Sequence, residues 1–293
     1  MKIESYHKGF NNLIDPKISI EKIADGFSFT EGPVWDEANN RLLFSDIPSN
    51  KIYSWSSGQG VSIYRSPSNF SNGLTFDQNG DLVACEHQSR SISVQNKINE
   101  VTILANSFKG MKLNSPNDVI VAKDGSILFS DPIYGLRDGM GGPAEQELPF
   151  QGIFRLPPGS NELELISDTF ERPNGLVLSP DEKILFINDT VRQHIRVFNI
   201  ANDWEVSGGQ IWSELWDDKR VGRPDGMKVD KQGNLFCTGP GGIWVFDNNA
   251  ELLGRIFLPD KTSNLAWGDQ DRKSLFITSS SVVYRIRCKT FGQ

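Results

Sequence analysis

The chain has 293 residues with 30 Lys and Arg against 37 Asp and Glu, a formal charge of −7. That balance excludes a general nucleic-acid or anionic-membrane surface binder, which needs a basic face. With 38% apolar and 23% charged residues the chain has the makeup of a packed domain, and 27 Gly with 15 Pro leave little room for long helices.

Along the chain, the first residues (Met1 to His7) carry no apolar run behind Lys2, so no secretory signal is legible. No stretch approaches the length of apolar sequence that spans a membrane. A cytoplasmic protein is expected. Cys85, Cys237 and Cys288 are odd in number and far apart, which fits buried thiols rather than a disulfide or metal framework.

From Ile18 onward one cassette recurs: a polar residue, usually followed by Gly, then an apolar run, a turn and a second run. It starts at Glu31, Asn72, Asn117, Asn174, Asp225 and Asn264, spaced by 41, 45, 57, 51 and 39 residues. The second runs are 41–46, 81–86, 126–131, 184–189, 234–239 and 274–279. The turns before them include Asn79-Gly80, Asp124-Gly125 and Gln232-Gly233, which supply the positive φ that tight hairpins need. Third runs follow at 51–55, 91–95, 152–156, 194–198, 242–246 and 282–286. Fourth runs follow at 61–65, 100–104, 162–166, 209–213 and 252–256.

The sixth unit runs out of chain before a fourth strand, and Ile18–Ala24 is expected to supply it. The pattern predicts an all-β fold: a six-bladed β-propeller of four-stranded antiparallel blades, closed by the N-terminal strand in the last blade. Residues 1–17 are an N-terminal extension in this reading, and 18–293 form a single domain.

In a propeller, the first strand of every blade lines the central channel, so the six cassette starts converge on one mouth. Pro116, Pro173 and Pro224 stand just before Asn117, Asn174 and Asp225 and restrict the chain there. Two carboxylates, Glu31 and Asp225, with several carboxamide oxygens, suit a hard cation. The absence of Cys and His from the set favours Ca²⁺, with Mg²⁺, Mn²⁺ and then Zn²⁺ behind it.

The chain also resembles the regucalcin/gluconolactonase group of calcium-dependent lactonases, the senescence-marker family, closest to its bacterial gluconolactonase-type members. The resemblance rests on Glu31–Trp35, Ser71–Phe76, Ala84–His87, Leu113–Val121, Phe129–Leu136, Arg172–Leu176 and Arg223–Met227 in this order. It covers about Ile18 to Ile286. It implies metal ligands at Glu31, Asn174 and Asp225, with Asn117 facing both metal and substrate. In related phosphotriesterases the blade-six position often carries a His linked to a second calcium, whereas this chain has Asn264 there.

The expected reaction is hydrolysis of a lactone such as an aldonolactone. The cation polarises the carbonyl and Asp225 serves as ligand and general base toward water. No G-x-S-x-G nucleophile motif is present, which favours the metal route over an acyl-enzyme. His87, after the second strand of blade two, is a candidate substrate contact. The long stretch Pro132–Gln151 is read as a lid over the mouth, with Tyr134 and Arg137 as substrate contacts. Phosphotriester hydrolysis at the same metal and a non-catalytic interaction propeller are the alternatives. The expected partner is a small-molecule lactone, without nucleic acid or membrane, and the oligomeric state is open.

Overall fold

The computed structural model describes residues 1–293. Six four-stranded antiparallel sheets account for almost all regular structure, so the predicted six-bladed propeller is observed. Blade one comprises Thr30–Asp36, Arg41–Asp46, Lys51–Ser56 and Gly60–Arg65. Blade two comprises Ser71–Phe76, Leu82–Glu86, Ser91–Gln95 and Val101–Ala105. Blade three is Val119–Val121, Ile127–Asp131, Gln151–Leu156 and Glu164–Phe170, and blade four is Pro173–Leu178, Ile184–Asp189, His194–Ile200 and Val206–Glu214. Blade five is Met227–Val229, Leu235–Gly239, Gly242–Phe246 and Leu252–Phe257. Blade six is Thr262–Gly268, Ser274–Ser279 and Val282–Arg287, completed by Glu21–Asp25.

The closing strand therefore comes from the N-terminal side, three residues later than the expected 18–24. Ile18 and Ile20 do not pair; they lie partly buried against the core shared by blades five and six. The fourth strands of blades three and four also differ from the sequence runs, at Glu164–Phe170 and Val206–Glu214 instead of 162–166 and 209–213. Outer strands are half-exposed, so apolar content marks their ends poorly.

Ahead of residue 18, Lys2–Ser5 pairs with Leu252–Phe257 and adds a fifth strand to blade five. Phe10, Leu13 and Ile14 are buried in the same core as Ile243, Ile256 and Leu275. This segment covers an edge that would otherwise display unpaired backbone groups.

Inner and middle strands read as continuous apolar runs because each blade is covered on both faces by its neighbours. Leu42, Leu43, Phe44, Phe129, Ile187, Phe236 and Phe276 are all fully buried. Stacked and edge-on aromatic pairs, such as Trp35 with Phe276 and Phe236 with Trp267, bridge neighbouring blades one and six, and five and six. The hairpins between first and second strands take positive φ as expected, at Gly80, Gly125 and Gly233. Where no Gly is present, Asn40, Glu182 and Arg272 adopt it instead.

The cassette glycines have a different role from turn formation. In blades one, two and four the ladder slips at Glu31–Val34, Ser71–Leu74 and Pro173–Leu176, a bulge that re-aims the polar side chain. A Cβ on Gly32 would stand 2.0 Å from the Asn72 carbonyl oxygen, and one on Gly175 would stand 2.2 Å from that of Asp225. Gly is required because backbones of adjacent blades touch there. No helix is long and apolar enough to cross a membrane.

The N-terminal segment is an integral part of the packing, so Phe10→Ala is expected to lose about 3–5 kcal/mol of stability. Denaturant unfolding with intrinsic fluorescence checks this. A loss below about 1 kcal/mol would mean that residues 1–17 contribute little to the core.

Candidate active site

The six cassette residues do converge. Glu31, Asn72, Asn117, Asn174, Asp225 and Asn264 are each 5% exposed or less. Five of them line a cavity of about 320 Å³ at the mouth, together with Phe29, Ile47, Tyr134, Arg137, Met140, Thr190 and Lys261. Asn264 is outside this lining. It stands behind Glu31, donating from Nδ2 to Oε2 at 3.2 Å while its own Oδ1 accepts from the Leu265 amide.

Hydrogen bonds between blades hold these positions. Ser45 Oγ donates to the Asn72 carbonyl, Gly73 N to that of Asn117, and Gly175 N to that of Asp225. Gly226 N donates to Ser263, and Ser263 Oγ donates to Thr30, carrying the chain of contacts back to blade one. A polar residue one step before the end of the second strand serves the mouth repeatedly. Asn188 Nδ2 donates to the Asp225 carbonyl, Thr238 Oγ1 accepts the Asp225 amide, and Thr278 Oγ1 accepts the Asn264 amide. The sequence reading missed this set. Its signal was the recurrent Ser, Asn or Thr at positions 45, 130, 188, 238 and 278 in otherwise apolar runs.

The acidic residues that end second strands fasten the inbound loops. Asp46 accepts the Ser28 and Phe29 amides, Asp131 that of Asn114, and Asp189 those of Glu171 and Arg172. These amides lie two to three residues ahead of Glu31, Asn117 and Asn174. Burial drives the Asp131 carboxyl up to about 8, against the lowering effect of the Asn114 amide.

The floor of the cavity concentrates negative charge. Burial raises Glu31 well above the ordinary carboxylate range, and the nearby Asp225 charge adds to it. Asp225 is raised to about 6, again chiefly by burial; Lys261 opposes the rise and Asp118 contributes to it. In the metal-free chain burial and the proximity of the two carboxyl groups disfavour ionising both at once. Lys261 Nζ stands 3.8 Å from Asp225 Oδ2. This lysine was also missed, since it follows a blade end in an ordinary polar loop and nothing in its neighbours marks it.

The carboxamides complete the floor. Asn174 donates from Nδ2 to Thr190 Oγ1 at 3.1 Å, and Thr190 in turn donates to the Pro224 carbonyl. Asn174 Oδ1 is buried without any hydrogen-bond partner. An orphaned carboxamide oxygen beside two mutually repelling carboxylates fits a hard, oxygen-preferring cation. No three His, Cys, Asp or Glu side chains cluster as metal ligands, and the oxygens at the floor belong to two carboxylates and the Asn carboxamides.

His87 is 1% exposed and lies beneath the mouth, outside the cavity lining. Its Nδ1–H donates to the Met140 carbonyl at 2.7 Å, and Nε2 accepts from Asn72 Nδ2 at 3.4 Å. Burial lowers its pKa to about 4, so the ring is neutral and orients Asn72. The loop from Pro132 packs on it: a Cβ at Gly135 or Gly141 would approach His87 to 2.5 and 2.8 Å. Through Tyr134, Arg137 and Met140 this loop reaches the cavity. The Tyr134 ring lies 5.1 Å from the Arg172 guanidinium, and its buried hydroxyl has no partner within the chain.

Comparison with known proteins bears on this arrangement. The family description "SMP-30/Gluconolactonase/LRE-like region" matches residues 29–281. A gluconolactonase from Zymomonas mobilis subsp. mobilis is 35% identical over 99% of this chain and 87% of its own length. Regucalcin from Bos taurus is 28% identical over 85% of this chain and 82% of its own. Among solved structures, a gluconolactonase from Xanthomonas campestris superposes with a TM-score of 0.92 at 32% identity, covering 98% of this chain and 95% of that one. The matched span contains all six cassette residues, the mouth loop and Lys261, and the chain belongs to the SMP-30/gluconolactonase/LRE-like family.

Proposed function

We propose that this chain is a metal-dependent lactonase that opens an aldonolactone-type ring at the Glu31–Asn174–Asp225 floor. Membership of the family and the gluconolactonase relatives support lactone hydrolysis. The observation that carries the metal is the unpartnered Asn174 Oδ1 beside the buried Glu31 and Asp225 carboxyls.

Glu31, Asn174 and Asp225 would hold a divalent cation, Ca²⁺ by the hardness of the donors, with Asn117 as a fourth oxygen. When bound, such an ion supplies a Lewis acid for the lactone carbonyl. Asp225 takes the proton from an attacking water, whose oxygen forms the new bond to the carbonyl carbon. The ring C–O bond breaks, and the proton held on Asp225 is delivered to the departing ring oxygen. Asn117 makes no side-chain hydrogen bond within the chain and can meet a substrate hydroxyl, and Tyr134 lines the same cavity. His87 acts through Asn72, whose orientation it sets. The Pro132–Gln151 loop forms the roof that carries Tyr134 and Arg137.

Complete chelation is expected to abolish glucono-δ-lactone hydrolysis, followed in a pH-indicator assay, and added Ca²⁺ to restore it. Full activity without metal would remove the cation from the reaction. Asp225→Asn is expected to lower kcat by about 10²–10⁴ with the melting temperature retained, since removing a general base has that scale of effect. Near-normal turnover would exclude Asp225 as the base.

Protons compete with the cation for the floor. Because Glu31 and Asp225 are raised, they bind protons well above the usual carboxylate range, and cation binding must release them. Ca²⁺ affinity, measured by calorimetry, is therefore expected to rise as pH increases from about 5 to 7, with proton release. An affinity flat across that window would contradict the assigned ligands.

A further inference from the structure

The cavity lining carries charges of both signs. Glu31 and Asp225 occupy the floor, whereas the two lining cations, Arg137 and Lys261, come from loops. Arg137 lies on the loop joining the second and third strands of blade three. Lys261 precedes the inner strand of blade six, and in a six-membered ring blades three and six stand opposite each other. Both side chains thus reach the same cavity.

Neither cation sits in an ion pair as close as those of several other arginines of the chain. Arg65 is paired with Glu86, Arg90 with Glu147, Arg192 with Glu171 and Arg220 with Asp217. The Arg137 side chain makes no ion pair or hydrogen bond, and its residue is exposed. The Lys261 backbone is anchored, its carbonyl accepting from Ser279 Oγ and Ser280 Oγ at 3.2 Å. Its ammonium lies 5.2 Å from the centre of the Phe29 ring. It approaches Asp225 only at 3.8 Å, beyond hydrogen-bond range, with 43% of the side chain exposed. With Glu31 and Asp225 ionised the four charged side chains of the lining sum to zero, and a divalent cation held there makes the sum positive, although the whole chain carries −7.

We infer that the site selects lactones that carry a second, anionic group, a phosphate monoester or a carboxylate, and that Lys261 with Arg137 is the receptor for that group. This deepens the lactonase reading above and rests on it. A polyol lactone without a charge would leave Arg137 unpaired and Lys261 with only its 3.8 Å approach to Asp225. An anionic one gains from both, and the local field raises its encounter rate. Lys261 acts here as a specificity-determining residue.

The test compares glucono-δ-lactone, its 6-phosphate and glucaro-1,4-lactone as substrates of the Ca²⁺-loaded protein, at low and at physiological ionic strength. In parallel, calorimetry measures binding of the ring-opened acids, 6-phosphogluconate and gluconate. Expected is a kcat/KM at least tenfold higher for an anionic lactone than for the neutral one, narrowing with salt, and the same order in binding. Which of the two anionic lactones is preferred identifies phosphate or carboxylate as the recognised group. Lys261→Met should collapse the anionic-to-neutral ratio by about tenfold, and Lys261→Arg should restore most of it. A neutral lactone used and its acid bound as well as the anionic ones would overturn the inference, as would a preference that survives Lys261→Met combined with Arg137→Met. If no lactone is hydrolysed, the lactonase reading fails, and the acid-binding order alone then decides whether the mouth is an anion receptor.

Discussion

Everything at the mouth depends on how closely the blades approach around the channel. Backbone meets backbone where Gly73 N reaches the Asn117 carbonyl and Gly175 N reaches that of Asp225. A side chain at these glycines would collide with the next blade at 2.2–2.6 Å. The carbonyls that accept these bonds belong to the same residues whose side chains form the site. Propeller closure and ligand placement are therefore one constraint, and the rigidity of the first gives precision to the second.

That constraint explains why unfavourable charge can be kept there. Buried carboxyls at Glu31 and Asp225 repel, and burial penalises both. A flexible loop would relax by turning one of them to solvent. On bulged inner strands, with Asn264 behind Glu31 and Thr238 and Asn188 fixing the Asp225 backbone, neither can turn away. A divalent cation held there, as proposed above, would relieve this repulsion.

The roof is assembled by different means. His87 is buried and neutral, tied on one side to Met140 in the loop and on the other to Asn72 at the mouth. Gly135 and Gly141 allow the loop to lie against it. The candidate substrate contacts Tyr134 and Arg137 thus owe their position to a histidine that does not itself line the cavity. Loop side chains opposite one another set the charge of the opening, while the floor is common to the cassette.

Much of this was legible without coordinates, because a repeat carries its own topology. Once Glu31, Asn72, Asn117, Asn174 and Asp225 are seen as the same position in successive blades, their convergence follows from the ring, whatever the loops do. Periodic patterns also fixed the hairpin turns, and the six blades appear as read. What departed from the reading was local, the start of the closing strand and the ends of outer strands, while the segment before residue 18, read as an extension, joins blade five through Lys2–Ser5. Outer strands are half-exposed and carry weak periodicity, and Phe10 is recognisable as core only once its neighbours are in place. Lys261, Asn264 behind Glu31, and His87 beneath Asn72 were decided by tertiary structure alone. Their roles depend on distances between residues far apart in the chain, and no pattern of residue types encodes which side chain stands in front and which behind.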